Sequence, residues 1–160
     1  MKDLIKKISI GGYIAIAGGV LGLVAMIIAL VSCSPEGFAI VQIPMIIIFS
    51  LLALILLVGA VVLSAWKGDG LLWNGLTTVM VLGAVVLLTF TLFNMIDGKQ
   101  DVLGTVMFSD LEKGFAPAEF ACYVGFASMI VYLVSIVVTL VGSFLRLAKK
   151  EAPAANEAAA

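Results

Sequence analysis

Four long apolar stretches, interrupted by short clusters of charge, set the pattern of this chain. Uncharged runs extend from Ile8 to Pro35, Gly37 to Trp66, Gly70 to Ile96 and Phe120 to Leu145. Each exceeds the roughly 20 apolar residues that a helix needs to cross the hydrocarbon core of a bilayer. None shows the alternation of period two that a membrane barrel requires, and backbone amides in lipid must otherwise be satisfied within their own segment, so the runs predict helices. The expected fold is an all-α membrane protein, a four-transmembrane-helix bundle with spans at about 10–31, 43–65, 72–96 and 119–146. Residues 1–150 then form one transmembrane domain, and the alanine-rich 151–160 reads as a disordered cytoplasmic tail.

Within the spans, small residues recur at helical spacing. The first carries Gly11, Ala15, Gly18, Gly22, Ala25, Ala29 and Ser32 on one face, and the fourth carries Ala121, Gly125, Ser128, Tyr132, Ser135, Thr139 and Gly142. Lipid supplies no hydrophobic force between helices, so close backbone approach and interhelical hydrogen bonds must hold them together, and small residues permit both. Steps alternating between four and three residues imply a left-handed bundle. A weaker stripe runs through Ser50, Ala53, Ala60 and Ser64. The third span has a polar one, Asn74, Thr77, Ala84 and Thr91, in which Asn74, Thr77 and Thr91 are the candidates for a pore-lining face.

Charge then sets the expected direction. Lys2, Lys6, Lys7, Lys67, Arg146, Lys149 and Lys150 fall on one side, whereas Lys99 and Lys113 share the other with Glu36, Asp97, Asp101, Asp110, Glu112 and Glu119. The positive-inside rule places both termini in the cytoplasm and the protein, multi-pass, in a cell membrane. Short loops and a lysine-led start give the chain a bacterial look. Trp66, Trp73 and Tyr13 suit the inner interface, and Phe115, Phe120 and Tyr123 the outer one. The second outer loop, 97–119, is the longest exposed feature. Asp97-Gly98 reads there as a turn, Val102, Leu103, Val106, Met107 and Phe108 as a helical segment on the bilayer or over the bundle, and Ser109 with Glu112 as a capping box opening a short extracellular helix that ends at Gly114.

The overall composition, 63% hydrophobic and 12% charged over 160 residues, excludes a water-soluble globular domain. A net charge of −1 leaves no basic face for nucleic acid. With no histidine, Ser–His and Cys–His devices are impossible, and no span holds an acidic or basic residue at its middle of the kind ion-coupled transporters use. No catalytic, cofactor-binding or metal-binding residue is assigned, and the expectation is a protein that is not an enzyme. Asn74 and Asn94 sit near the ends of the third span, where caps and interfacial residues are common, and Pro44 falls in the first turns of the second, where its missing N–H costs least.

The two cysteines, Cys33 after the first span and Cys122 in the first turn of the fourth, lie at one height beside their helices' stripes, which makes them disulfide candidates in an oxidising outer compartment. Unpaired burial is the alternative. A third reading takes Leu30-Val31-Ser32-Cys33 as a lipobox after a basic start, against which the apolar region before the cysteine is about 23 residues where a signal core has 7–15.

Four spans with both ends inside is a layout shared by claudins, tetraspanins, MARVEL proteins and small multidrug transporters. The first outer loop lacks the tryptophan and cysteine pair of claudins, the second lacks the Cys-Cys-Gly of tetraspanins, and the first span lacks the acidic residue of small multidrug transporters. Layout by itself carries no function. The reading that remains is a small accessory or scaffold subunit in the lipid bilayer, binding a membrane-protein partner or another copy of itself through the 97–119 loop or a small-residue helix face. The alternative is a transporter or channel subunit for a small neutral or cationic solute.

Overall fold

The computed structural model describes residues 7–35, 38–67, 71–108, 114–145 and 147. These form four helices long and apolar enough to cross a membrane: α1 (Ile10–Ser32), α2 (Ile43–Lys67), α3 (Leu71–Leu103), which runs on as one turn of π-helix (Gly104–Phe108), and α4 (Ala116–Phe144). Ser9 caps α1 by accepting a hydrogen bond from Gly12 N, and Pro44 and Pro117 stand in the first turns of α2 and α4, where no intrahelical donor is lost. Sequence neighbours pack side by side, and the ring closes with α1 against α4, the most extensive of the contacts.

The α1–α4 seam explains that extent. Gly11, Ala15, Gly18, Gly22, Ala25, Ala29 and Ser32 of α1 are all buried, as are Ala121, Gly125, Ser128, Tyr132, Ser135, Thr139 and Gly142 of α4. The backbones come so close that a β-carbon on Gly142 would lie 2.6 Å from Ala15 N, and one on Gly18 would lie 2.9 Å from Thr139 N. Two hydroxyls use the proximity: Ser135 Oγ donates to Gly18 O at 2.7 Å and Ser128 Oγ to Ala25 O at 2.9 Å. Gly19 turns toward α2 instead, facing Leu54 and Leu57, while Gly12 packs against Ile8 and Leu147 O. Leu57, Leu88, Met95 and Ala84 are fully buried at the centre, and Tyr132 reaches across to share a 2.9 Å hydrogen bond with Ser50 Oγ of α2. Among the described residues every buried side-chain nitrogen and oxygen has a partner.

One boundary differs from the sequence reading. Asp97-Gly98 is not a turn: α3 passes straight through it, and Val102 to Phe108 continue the same rod rather than forming a separate element. The capping box at Ser109 and Glu112 lies outside the described residues, as does the tail; Gly114, with φ +88°, takes the left-handed conformation that glycine adopts without strain. The apolar span of α3, Leu72–Phe108, has 37 residues. At 1.5 Å per residue that is about 55 Å, longer than a hydrocarbon core of about 30 Å.

Candidate functional site

The C-terminal end of α3 holds the least expected group in the molecule. Lys99 is 1% exposed. Its stem lies along α4, where a β-carbon on Gly125 would be 3.6 Å from Lys99 Cγ, and its ammonium donates to Ser32 O at 3.0 Å and Phe38 O at 2.8 Å. Ser32 is the last residue of α1, whose terminal carbonyls carry the negative end of the helix dipole. Among the described residues no carboxylate pairs with Lys99, so the α1 terminus and the loop carbonyl are what hold the charge.

The connection after α1 is tied down at three points along α3. Phe38 O accepts from Lys99, Ile40 packs so tightly on Gly98 that a β-carbon there would meet Ile40 Cγ2 at 2.7 Å, and Gln42 Nε2 donates to Asp97 Oδ2 at 3.1 Å. Gly98 is therefore required by close approach and not by a turn. The Phe38 ring also lies 6.4 Å from that of Phe115, which precedes α4.

Both cysteines lie at this end of the bundle, Cys33 just after α1 and Cys122 near the start of α4. Cys122 is buried with Ala118 and Val106, the latter from the π-helical turn, and Phe38, Val102 and Leu103 complete its surroundings. Cys33 is half-buried, its thiol 3.8 Å from Ser32 Oγ, whose own proton is committed to Ala29 O at 2.7 Å. The bridge considered from the sequence is not formed in the structure, where Cys33 and Cys122 are free.

The three polar candidates of α3 do not make one path. Asn74 is exposed; Thr77 is buried and donates to Asn74 O at 3.0 Å; Thr91 is fully buried, donating to Leu87 O at 2.8 Å, and buried Val81, Ala84 and Leu88 separate it from Thr77. Asn74 and Thr77 instead line a cavity of about 480 Å³ at the end of the bundle where α1 begins and α4 ends, together with Thr78, Ser64, Ser143 and the apolar Leu140 and Phe144. That end is also where Ser9 N donates to Leu147 O. Asn94 is half-buried and bonds back to Phe90 O at 2.8 Å.

Comparison with protein-family models, with curated proteins and with solved structures returned no match to this chain.

Proposed function

We propose that this small integral membrane protein is a non-enzymatic accessory or scaffold subunit that binds a partner at the C-terminal end of α3. The supporting observation is the apolar tip carried there: Phe108 is 86% exposed, with Met107, Phe115 and Val41 also exposed. Lipid solvates such side chains within the hydrocarbon region; in this reading Phe108, at the end of about 55 Å of helix, lies past it. Outside the lipid an exposed apolar group is a contact surface. The small-residue faces of α1 and α4 are spent on each other, so of the two surfaces expected from the sequence it is the 97–119 segment that offers itself to a partner.

In this reading the bundle is left-handed, and the positive-inside rule sets both termini in the cytoplasm and the α3 tip outside a bacterial plasma membrane. Affinity capture from solubilised native membranes tests it: the wild-type chain retains a second membrane protein in stoichiometric amount, and Phe108→Asp loses it while remaining folded. Equal capture by Phe108→Asp would sink the reading.

The 480 Å³ cavity favours the second reading, a transporter subunit for a neutral solute, because its five polar side chains (Ser64, Asn74, Thr77, Thr78 and Ser143) are uncharged. It requires solute flux into proteoliposomes, abolished by Thr77→Trp.

A further inference from the structure

The 480 Å³ cavity lies between α3 and α4, with Ser64 contributed by α2, and its lining residues Leu82 and Phe144 are exposed, so it opens sideways from the bundle. Its polar groups are not alike. Thr77 and Thr78 both donate to Asn74 O, and Ser143 donates to Leu140 O at 2.6 Å, so these protons are spent within their own helices. Among the described residues, the Ser64 hydroxyl and the Asn74 side-chain amide have no hydrogen-bonding partner. Their depth is marked by two exposed tryptophans: Trp66 stands two residues after Ser64 and Trp73 one before Asn74, and tryptophan gathers where lipid headgroups meet hydrocarbon. Val81 and Leu82 lie about 10 Å farther along α3 at 1.5 Å per residue, so the cavity runs from a polar mouth to an apolar floor.

We propose that this cavity binds one glycerol-based diacyl lipid, with Ser64 Oγ and Asn74 Nδ2 donating to its ester carbonyls and the start of one acyl chain lying on Val81, Leu82 and Leu140. A donor without a partner is costly at the edge of the hydrocarbon, and the ester carbonyl is the acceptor that the bilayer itself supplies at that depth. The volume falls within the range of about 300–1,000 Å³ found for small-ligand sites, which suits the glycerol segment and the head of one chain while the rest of the molecule stays in the leaflet. Among the described residues no charged side chain lines the cavity, so the esters and not the headgroup are what is recognised. The site stands independently of the accessory role, and it sets a lipid where the transporter reading sets a water-soluble solute.

The test is native mass spectrometry of the full chain, delipidated in detergent and titrated with dioleoyl phosphatidylcholine or with its diether counterpart, which has the same headgroup and chain length but no ester carbonyls. The wild type is expected to retain one diester lipid and to hold the diether about fivefold more weakly for each hydrogen bond lost. Ser64→Ala and Asn74→Ala each remove part of that preference, and Leu82→Trp, which fills the opening, removes the retained lipid. Thr89→Val, on α3 but outside the cavity lining, keeps both. The proposal is overturned if the wild type holds the two lipids equally, if Ser64→Ala and Asn74→Ala leave the preference intact, or if no single lipid is retained above the others. Solute flux abolished by Thr77→Trp in a chain that shows no ester preference would likewise overturn it and favour the transporter reading. The comparison of the two lipids is made on the wild type, so the site is tested whether or not the variants fold.

Discussion

Gly142→Ala probes the seam on which the bundle closes. The added methyl would lie 2.6 Å from Ala15 N, 2.9 Å from Ala15 Cα and 3.1 Å from Ala15 Cβ. Two of those atoms are backbone and cannot turn aside, so the helices must separate by roughly 1 Å to restore ordinary carbon contact at 3.5–4.0 Å. Overpacking of this kind costs about 1–3 kcal/mol. Separation also lengthens the neighbouring Ser135–Gly18 bond, now 2.7 Å, and such interhelical bonds contribute about 0.6 kcal/mol on average. The expected loss is therefore about 2–3 kcal/mol. Gly125→Ala on the same helix is the control, since its methyl would only touch Met95 Cε and Lys99 Cγ at 3.6 Å, an ordinary contact. Gly75→Ala, with nothing within 4 Å, is a second. Steric trapping in bicelles, or reversible unfolding in mixed micelles, gives the three free energies. The reasoning fails if Gly142→Ala lies within 0.5 kcal/mol, roughly the spread of neutral surface changes, of the two controls.

Other perturbations separate the remaining contacts. Tyr132→Phe strands Ser50 Oγ inside the bundle and should cost about 1–2 kcal/mol, while the double variant with Ser50→Ala recovers part of it; additive losses in the cycle would show that the 2.9 Å bond contributes nothing. Ser135→Ala should lose only about 0.6 kcal/mol, because the small-residue contact survives without the hydroxyl; a loss above about 2 kcal/mol would mean that the bond and not the packing holds the seam. Gly98→Val drives side-chain atoms into Ile40 and should free the loop at 38–42 without unfolding the spans, seen as faster amide exchange at Ile43 and Ile46, whose N–H groups bond to Ile40 O and Gln42 O. Unchanged exchange there would refute the role given to Gly98.

Much of this was legible in the chain because hydropathy in a bilayer is nearly decisive: a run without charge has few options besides a helix. The faces of α1 and α4 could be read because an alternating four-three spacing of small residues is itself the geometry of contact. What could not be read from local signals was the end of α3. Asp97-Gly98 followed by a lysine has the composition of a surface turn, yet Gly98 serves the approach of Ile40, and Lys99 finds its partners on segments far away in sequence. One signal was available. The buried face of α3 runs Thr77, Val81, Ala84, Leu88, Thr91, Met95, and the next step of four residues is Lys99. Following the period through the charge, instead of stopping at it, would have placed the lysine inside.

The closure of α1 on α4 bears on biosynthesis. Gly18 O is separated from its donor Ser135 by 117 residues, and Ala25 O from Ser128 by 103. At a translation rate of 5–20 residues per second the first span waits roughly 5–25 s after emerging before its partner is even made. Throughout that interval its bare glycine edge lies open in the translocation machinery or in lipid. A nascent chain of this design reaches its native pairing only if nothing else that is small-faced and nearby takes the vacant position first.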